Sequence, residues 1–171
     1  MALHFSTSTN DHFKIVVSCD PAINFTDESK AAYFNTGDLS LLDVGEDATI
    51  ITLKPLGPQD RERAEIRAGA FTRSELGKLL WIEAPTDKVE HARWHHELKE
   101  DEREALASYE SYISKSYVEY VSEALVSIND EPATIDMINS IRPEHMRITT
   151  ITEIVLHLQR VSLLGDVGKL R

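Results

Sequence analysis

A long span without glycine divides this chain into two parts. No glycine occurs between Lys78 and Leu164, whereas seven glycines punctuate the rest of the 171-residue sequence. Glycine supplies the positive-φ conformations of tight turns and weakens the interior of a helix. We therefore predict strands and turns in the first third of the chain, and helices joined at proline-marked or polar corners in the remainder.

Composition and charge limit the classes of protein to which the chain can belong. With 42% hydrophobic and 27% charged residues it can bury a core, and its length fits one domain, or one domain with an appendage. The net charge of −11 disfavours nucleic acid or an anionic membrane as a partner. The single cysteine, Cys19, excludes an internal disulfide and a cysteine-based zinc site. No segment resembles a signal peptide or a membrane span, which favours a reducing, cytoplasmic location.

Two β-branched segments predict a small antiparallel sheet near the N-terminus. Residues 13–19 are rich in Ile and Val, and residues 48–56 are rich in Thr and Ile, as strands are. Pro55 restricts the second strand to the edge or the end of a sheet. Because two strands alone are only marginally stable, either helices cover one face or another chain extends the sheet.

Capping and helix-breaking residues predict where the helices begin and end. Pro58 suits a first helical position and Thr86 suits an N-cap, while glycines and prolines end helices. The predicted helices span residues 26–36, 58–68, 72–80, 86 to at least 104, 106–128 and 135–141, followed by a closing helix between Pro143 and Gly165. A corner near Asp101 stays open.

Together these elements predict an α+β fold. A small antiparallel sheet with a short helix occupies residues 1–56, and a mainly helical part occupies residues 57–171, the two forming one compact unit. The polar residues 1–11 are expected to form a flexible arm or a strand that adds to a partner, and residues 168–171 a loose tail.

Two histidines offer the strongest metal-site pattern in the sequence. His91 and His95 are four residues apart, so on a helix both rings share one face and can reach one metal ion. The residue after His91 is Ala92, so the general base of the HExxH motif is missing. A third ligand would have to come from His96 or from a distant residue. Surface histidines without a metal are the favoured interpretation, and no cofactor is predicted.

No other pattern of catalytic chemistry is present in the sequence. The carboxylates between residues 97 and 104 form a run that is typical of a solvated helix rather than of a catalytic pair in a cleft. No P-loop, dinucleotide fingerprint or nucleophile elbow occurs. We therefore expect a protein without enzymatic activity.

Aromatic side chains and the sheet edge are the predicted interface. Apolar residues recur every three or four positions between residues 106 and 128, which predicts one helical face, and tyrosines within it suit either a core or a subunit contact. The predicted contact residues are Trp94, Tyr109, Tyr117, Tyr120 and, for addition of a strand to the sheet, Ile51 and Leu53.

Three stretches of the sequence follow one another in a distinctive order. They are Asp20–Asn24 with Tyr33, Thr36–Asp38 and Leu41–Leu42; Gly45 and Ala48–Leu56 with Arg61–Ala68 and Gly69; and Thr152–Val155 with Leu158, Val161–Ser162 and Leu164. In this order they resemble bacteriophage tail assembly chaperones and related small morphogenesis proteins.

The resemblance implies a role in assembly rather than in catalysis. Such proteins pair a compact β-containing N-terminal part with a helical C-terminal part, and they bind other virion proteins. The implied partners are other phage structural proteins or further copies of the chain, in the host cytoplasm during assembly or in the virion. Two alternatives stay open at this point: a small metal-dependent enzyme that uses His91 and His95, and a cytoplasmic regulatory adaptor.

Overall fold

The computed structural model describes residues 12–166, so the predictions for residues 1–11 and 168–171 lie outside it. The helices are α1 (Asp27–Thr36), α2 (Pro58–Ala68), α3 (Glu75–Glu83), α4 (Lys88–Glu97), α5 (Glu100–Ala124), α6 (Ile135–Asn139) and α7 (Glu144–Asp166). The strands are β1 (Phe13–Ile15), β2 (Ile23–Asn24), β3 (Asp43–Val44), β4 (Ile51–Leu53), β5 (Leu125–Ile128) and β6 (Glu131–Pro132). The predicted α+β class is confirmed.

The main sheet has four antiparallel strands in the order β1-β4-β5-β6. The predicted antiparallel pairing of the two N-terminal strands is confirmed, with Ile15 opposite Ile51 and Phe13 opposite Leu53. Strand β4 lies inside the sheet, between β1 and β5, and Pro55 lies two residues beyond its last residue, Leu53. A separate two-stranded sheet joins β2 to β3.

The chain supplies its own third and fourth strands, which corrects the prediction of a helix from residue 106 to 128. Helix α5 ends at Ala124, and residues 125–128 form β5. Asn129 and Asp130 then adopt positive φ angles of 49° and 65°, as the two central residues of a type I′ hairpin do. The three-residue spacing of Leu125 and Ile128 had matched a helix, but the hairpin turn returns the chain into the sheet.

An unbroken helix from residue 86 to 104 is not formed, because the chain turns at Leu98, close to the corner that was left open near Asp101. The N-cap is Asp87, whose carboxylate accepts hydrogen bonds from the backbone N–H groups of the first turn, and α4 ends at Glu97. Leu98 is buried with extended backbone angles. The Lys99 N–H then donates to the Glu102 carboxylate at 2.8 Å, which stabilises the start of α5.

Helix α1 forms as predicted. Thr26 and Ser29 make a reciprocal capping box, and Gly37 ends the helix in the left-handed conformation at φ 74°. The Tyr33 side chain of this helix is fully buried in a core that also contains Val16, Ile23 and Ala48.

The chain divides into two compact units, and the division differs from the predicted boundary at residues 56 and 57. The first unit contains residues up to Arg61 together with those from Tyr120 onward, and the second unit contains residues 62–119. The reason is that β5 pairs with β4, β6 pairs with β5, and α7 packs with α1, so the C-terminal residues belong with the N-terminal ones. Within the second unit, Arg67 Nε lies 2.6 Å from a Glu119 carboxylate oxygen, which holds the two ends of this unit together.

Candidate protein-interaction surface

Helix α3, in the second unit, is buried along one side and exposed along the other. Ser74 caps it by accepting a hydrogen bond from the Gly77 N–H at 3.0 Å. Gly77 and Leu80 are buried, and a Cβ atom at position 77 would overlap the carbonyl oxygen of Ala105 on α5. Only glycine permits this close approach of the two helices. The opposite side of α3 therefore faces away from α5.

Five large apolar side chains lie exposed on and just before this helix; one of them, Trp81, is 45% exposed and has its ring 6.3 Å from that of Tyr109. Leu76, Leu79 and Ile82 are spaced by three residues along α3 and are 43%, 57% and 67% exposed, and Phe71, in the turn before α3, is 87% exposed. We call these four residues the α3 face. Isolated exposed apolar residues are common in proteins, but a group of four large ones is typical of a binding surface.

The charged residues beside the α3 face have opposite signs. Glu75 and Lys78 lie one helical turn apart, on the same side of α3 as Leu79 and Ile82. The Glu75 carboxylate is 3.4 Å from Arg73 Nε, and the Arg73 guanidinium lies over the ring of Tyr112 at 5.9 Å. The surface around the apolar residues therefore carries no large excess of one charge.

The aromatic residues predicted for the interface lie mainly in internal packing. Trp94 is half-buried and packs on a core of leucines in the second unit. Tyr109 is buried, and its ring lies 6.3 Å from that of Trp81. Tyr117 and Tyr120 are half-buried. Their role in binding a partner stays a prediction, whereas the α3 face, which the sequence analysis did not select, is more exposed than any of them.

The prediction that Ile51 and Leu53 form a sheet edge for strand addition is wrong. Both side chains are essentially fully buried. Their strand, β4, pairs with β1 on one side and with β5 on the other. Since both edges of β4 already have partners within the chain, a strand from another protein has no place to pair there.

The two histidines of the metal hypothesis share a helix face, as predicted. The rings of His91 and His95 lie 6.3 Å apart and are inclined by only 19°, and His91 also contacts Trp94 at 5.5 Å between ring centres. Among the described residues, no three His, Cys, Asp or Glu side chains are grouped so that they could hold a metal ion. Within residues 12–166 the pair therefore has no third ligand of the kind that a stable protein site for zinc needs.

A buried polar cluster in the first unit was missed by the sequence analysis. His157 on α7 is fully buried, with its ring 4.9 Å from that of Tyr33 and 5.0 Å from that of Phe34. Neither of its ring nitrogens has a hydrogen-bond partner among the residues that the structure describes. The guanidinium of Arg160 lies against Gly37, where a Cβ atom would overlap it.

Burial controls the ionisation of this cluster. Desolvation, reinforced by the charge of Arg160, lowers the pKa of His157 from 6.5 to about 4, so the ring is neutral at pH 7. Burial likewise raises the pKa of Tyr33 to about 12. Its hydroxyl group accepts from the Val16 N–H at 2.9 Å and donates to the Val16 carbonyl at 3.1 Å. Because the side chains of Tyr33 and His157 are closed to solvent, the cluster is built to pack α1 against α7 and β1 rather than to meet a ligand.

Glu153 extends the same side of α7. It is buried and accepts hydrogen bonds from both the backbone N–H, at 2.6 Å, and the hydroxyl group of Ser18. The spacing of Glu153, His157 and Arg160 by four and three residues places them on one helical side. That spacing is visible in the sequence, but the three residues were not among the predicted site residues.

Comparisons with protein-family models, curated proteins and solved structures found no match. Within residues 12–166, no helix combines the length and the apolar character needed to cross a membrane.

Proposed function

We propose that this chain is a non-enzymatic bacteriophage morphogenesis protein, similar to a tail assembly chaperone, that works by binding other proteins. The observation that carries the binding role is the α3 face, in which Phe71, Leu76, Leu79 and Ile82 are each at least 43% exposed. The phage context comes from the three stretches of sequence that resemble small morphogenesis proteins.

Energetics favour a partner for the α3 face. Burying one Leu, Ile or Phe side chain stabilises a complex by roughly 1.5 to 3 kcal/mol. Leu79, Ile82 and Phe71 are each more than half exposed, so most of this stabilisation is still available. Leaving such a surface in water also invites non-specific association. A specific partner buries these apolar side chains and prevents non-specific association. Protein interfaces typically contain such apolar centres with polar rims.

The chemistry of the other candidate groups supports binding over catalysis. The groups with the largest changes in pKa, His157 and Tyr33, are sealed in the core of the first unit. A general acid or base must reach its substrate, and these two do not reach the surface. The pair His91 and His95 has no third ligand close by among the described residues.

The proposed function is tested by deleting the gene from the phage that carries it. We expect a loss of infectious particles, with incomplete tails or heads visible by electron microscopy, and rescue when the wild-type protein is supplied from a plasmid. Normal yields of infectious particles after deletion would refute the role in assembly.

Two complementing variants separate the α3 face from general effects. Ile82→Glu places a charge in the α3 face, and Ile148→Glu makes the same change at a comparably exposed isoleucine of α7. We expect Ile148→Glu to rescue the deletion and Ile82→Glu to fail. Equal rescue by both variants would show that the α3 face is not the surface used in assembly.

A further inference from the structure

We infer that the main sheet is closed against the addition of a further strand at both of its outer edges. The hydroxyl group of Tyr33 closes the edge at β1, and Pro132 closes the edge at β6. An outer strand normally presents unpaired backbone N–H and C=O groups, at which a strand of another protein can pair. The inference goes beyond the proposed function, because it concerns the mode of binding and holds for any partner.

The hydrogen bonds beside β4 determine which backbone groups of β1 face the outer edge. The carbonyl of Ile50, just before β4, accepts from the Asn129 N–H at 2.8 Å, and the Ile50 N–H donates to the Asn129 side chain at 2.8 Å. Ile50 therefore faces the β5 side. Since successive residues of a strand direct their backbone groups to opposite sides, Ile51 faces β1, where it pairs with Ile15. Val16, the next residue, therefore faces away from β4.

The side chain of Tyr33 occupies both outward backbone groups of Val16. The Val16 N–H donates to the Tyr33 hydroxyl group at 2.9 Å, and this hydroxyl group donates to the Val16 carbonyl at 3.1 Å. Tyr33 is fully buried and lies on α1, so the contact is part of the packed core. A further strand would have to displace this side chain before it could pair with Val16.

Lys14 leaves only a short part of the β1 edge open. By the same alternation Lys14 faces outward, and it is the only residue of β1 that does so. Among the described residues, no hydrogen bond to these outward groups is formed. The Lys14 side chain forms an ion pair with Asp130 at 3.0 Å. Two backbone hydrogen bonds at a single charged residue are too few to hold a further strand.

Pro132 closes the other outer edge of the sheet. Ile128 pairs with Glu131 across the two-residue turn, and the Ala133 N–H donates to the Val126 carbonyl at 3.2 Å. Glu131 and Ala133 therefore face β5, and Pro132 between them faces outward. Proline has no backbone N–H group, so this edge offers no donor to a further strand.

These two closures limit how the chain can bind a partner. Strands β1 and β6 are the outer strands of the main sheet, and β4 and β5 lie between them. A partner is therefore bound through side chains rather than by extension of this sheet. Tyr33 accordingly has a role at the sheet edge besides its packing between α1 and α7.

Amide hydrogen exchange of the full chain, measured by NMR, tests the closure at β1. We expect the Val16 amide to be protected as strongly as the Ile15 amide, although only Ile15 pairs with another strand. The Lys14 amide should exchange close to the rate of an unstructured peptide, at low and at high protein concentration. A protected Lys14 amide, or protection that grows with concentration, would show that a strand adds at this edge and would overturn the inference.

Tyr33→Phe tests whether the hydroxyl group provides the closure. The variant keeps the aromatic ring, and its Val16 amide should exchange at least about 10-fold faster relative to the Ile15 amide than in the wild type. Because both amides are measured in one protein, a general loss of stability speeds both alike and leaves their ratio unchanged. An unchanged ratio in the variant would overturn the role of Tyr33.

Pro132→Val tests the closure at β6 independently of Tyr33. The substitution introduces an N–H group at this position, and we expect it to exchange as fast as the Lys14 amide, because it faces outward. The amide of Glu131, which faces β5, provides the matched reference within the same protein. Protection of the introduced amide equal to that of Glu131 would overturn the placement of Pro132 at an edge without a donor.

Discussion

Acidification from pH 7.5 to pH 5 should destabilise the chain through His157. The pKa of this residue is lowered from 6.5 to about 4 in the folded chain by burial and by Arg160, so the unfolded chain binds its proton first as the pH falls. The stabilising effect of the neutral ring is therefore complete above pH 6.5 and is lost progressively as the pH falls towards 4. The full shift corresponds to about 3 kcal/mol, and at pH 5 about 2 kcal/mol of it is lost.

The variant His157→Phe isolates this effect. Phenylalanine keeps an aromatic ring beside Tyr33 and Phe34 but has no proton to bind, and it removes two buried nitrogens that lack partners among the described residues. Urea unfolding followed by circular dichroism at both pH values measures the free energy of unfolding. We expect the wild type to lose about 2 kcal/mol more than the variant between pH 7.5 and pH 5. At pH 7.5 the variant should be more stable by about 1 kcal/mol.

An identical pH dependence in the two proteins would refute this reasoning, since it would mean that His157 titrates alike in the folded and unfolded chains.

Tryptophan fluorescence provides an internal comparison. Trp81 and Trp94 both belong to the second unit, whereas His157 belongs to the first. Tryptophan fluorescence therefore follows the unfolding of the second unit. If the two units unfold separately, the urea midpoint of this transition should change less with pH than the midpoint of the first unit's transition.

Three further substitutions test individual packing contacts by the same unfolding measurement. Gly77→Ala should cost about 3 kcal/mol, because the added methyl group overlaps the backbone of α5; a cost below about 0.5 kcal/mol would contradict the close approach. Tyr33→Phe should cost about 2 kcal/mol, since it leaves both backbone groups of Val16 without their partner, and an unchanged stability would show that water replaces the hydroxyl group. Gly37→Ala should cost about 1 kcal/mol through its positive φ angle and the displacement of Arg160, and a stabilised variant would argue against both effects.

The elements that the sequence predicted well are those with strong local signals. Thr26 and Gly37 mark the two ends of α1 because capping and left-handed backbone depend on the residue itself. The pairing of β1 with β4 was likewise predicted, since both strands are β-branched and neighbour each other in the N-terminal part. The predicted strands were longer than the observed ones, because strand ends depend on which backbone groups find a partner.

The elements that were missed depend on contacts far apart in the chain. Strand β5 resembles the end of a helix in its local spacing. Only its pairing with β4, which precedes residues 62–119 in the sequence, makes it a strand. Gly77 lies inside the helix predicted for residues 72–80, where a glycine is unfavourable, and its role is close packing against Ala105. The α3 face could not be separated from a core face by periodicity alone, because the spacing is the same whether a stripe is buried or exposed.

The cluster around His157 was missed for a similar reason. Glu153 and His157 interrupt the apolar pattern of α7, and polar residues are usually taken to mark a solvated side. Their burial follows from Ser18 and Tyr33, which are more than a hundred residues away in sequence. A second polar stripe on an otherwise apolar closing helix is the local sign that could have revealed it.

The placement of residues 62–119 between the two halves of the first unit has a consequence for the order of folding. Strands β4 and β5 pair across about 70 intervening residues, and closing such a loop costs about 2 kcal/mol more than closing a loop of ten. If residues 62–119 fold first, the contact of Arg67 with Glu119 holds their two ends together and removes most of that cost. During synthesis the inserted residues emerge before β5, β6 and α7, so the order in which the ribosome delivers the chain is also the order that makes the sheet easiest to close.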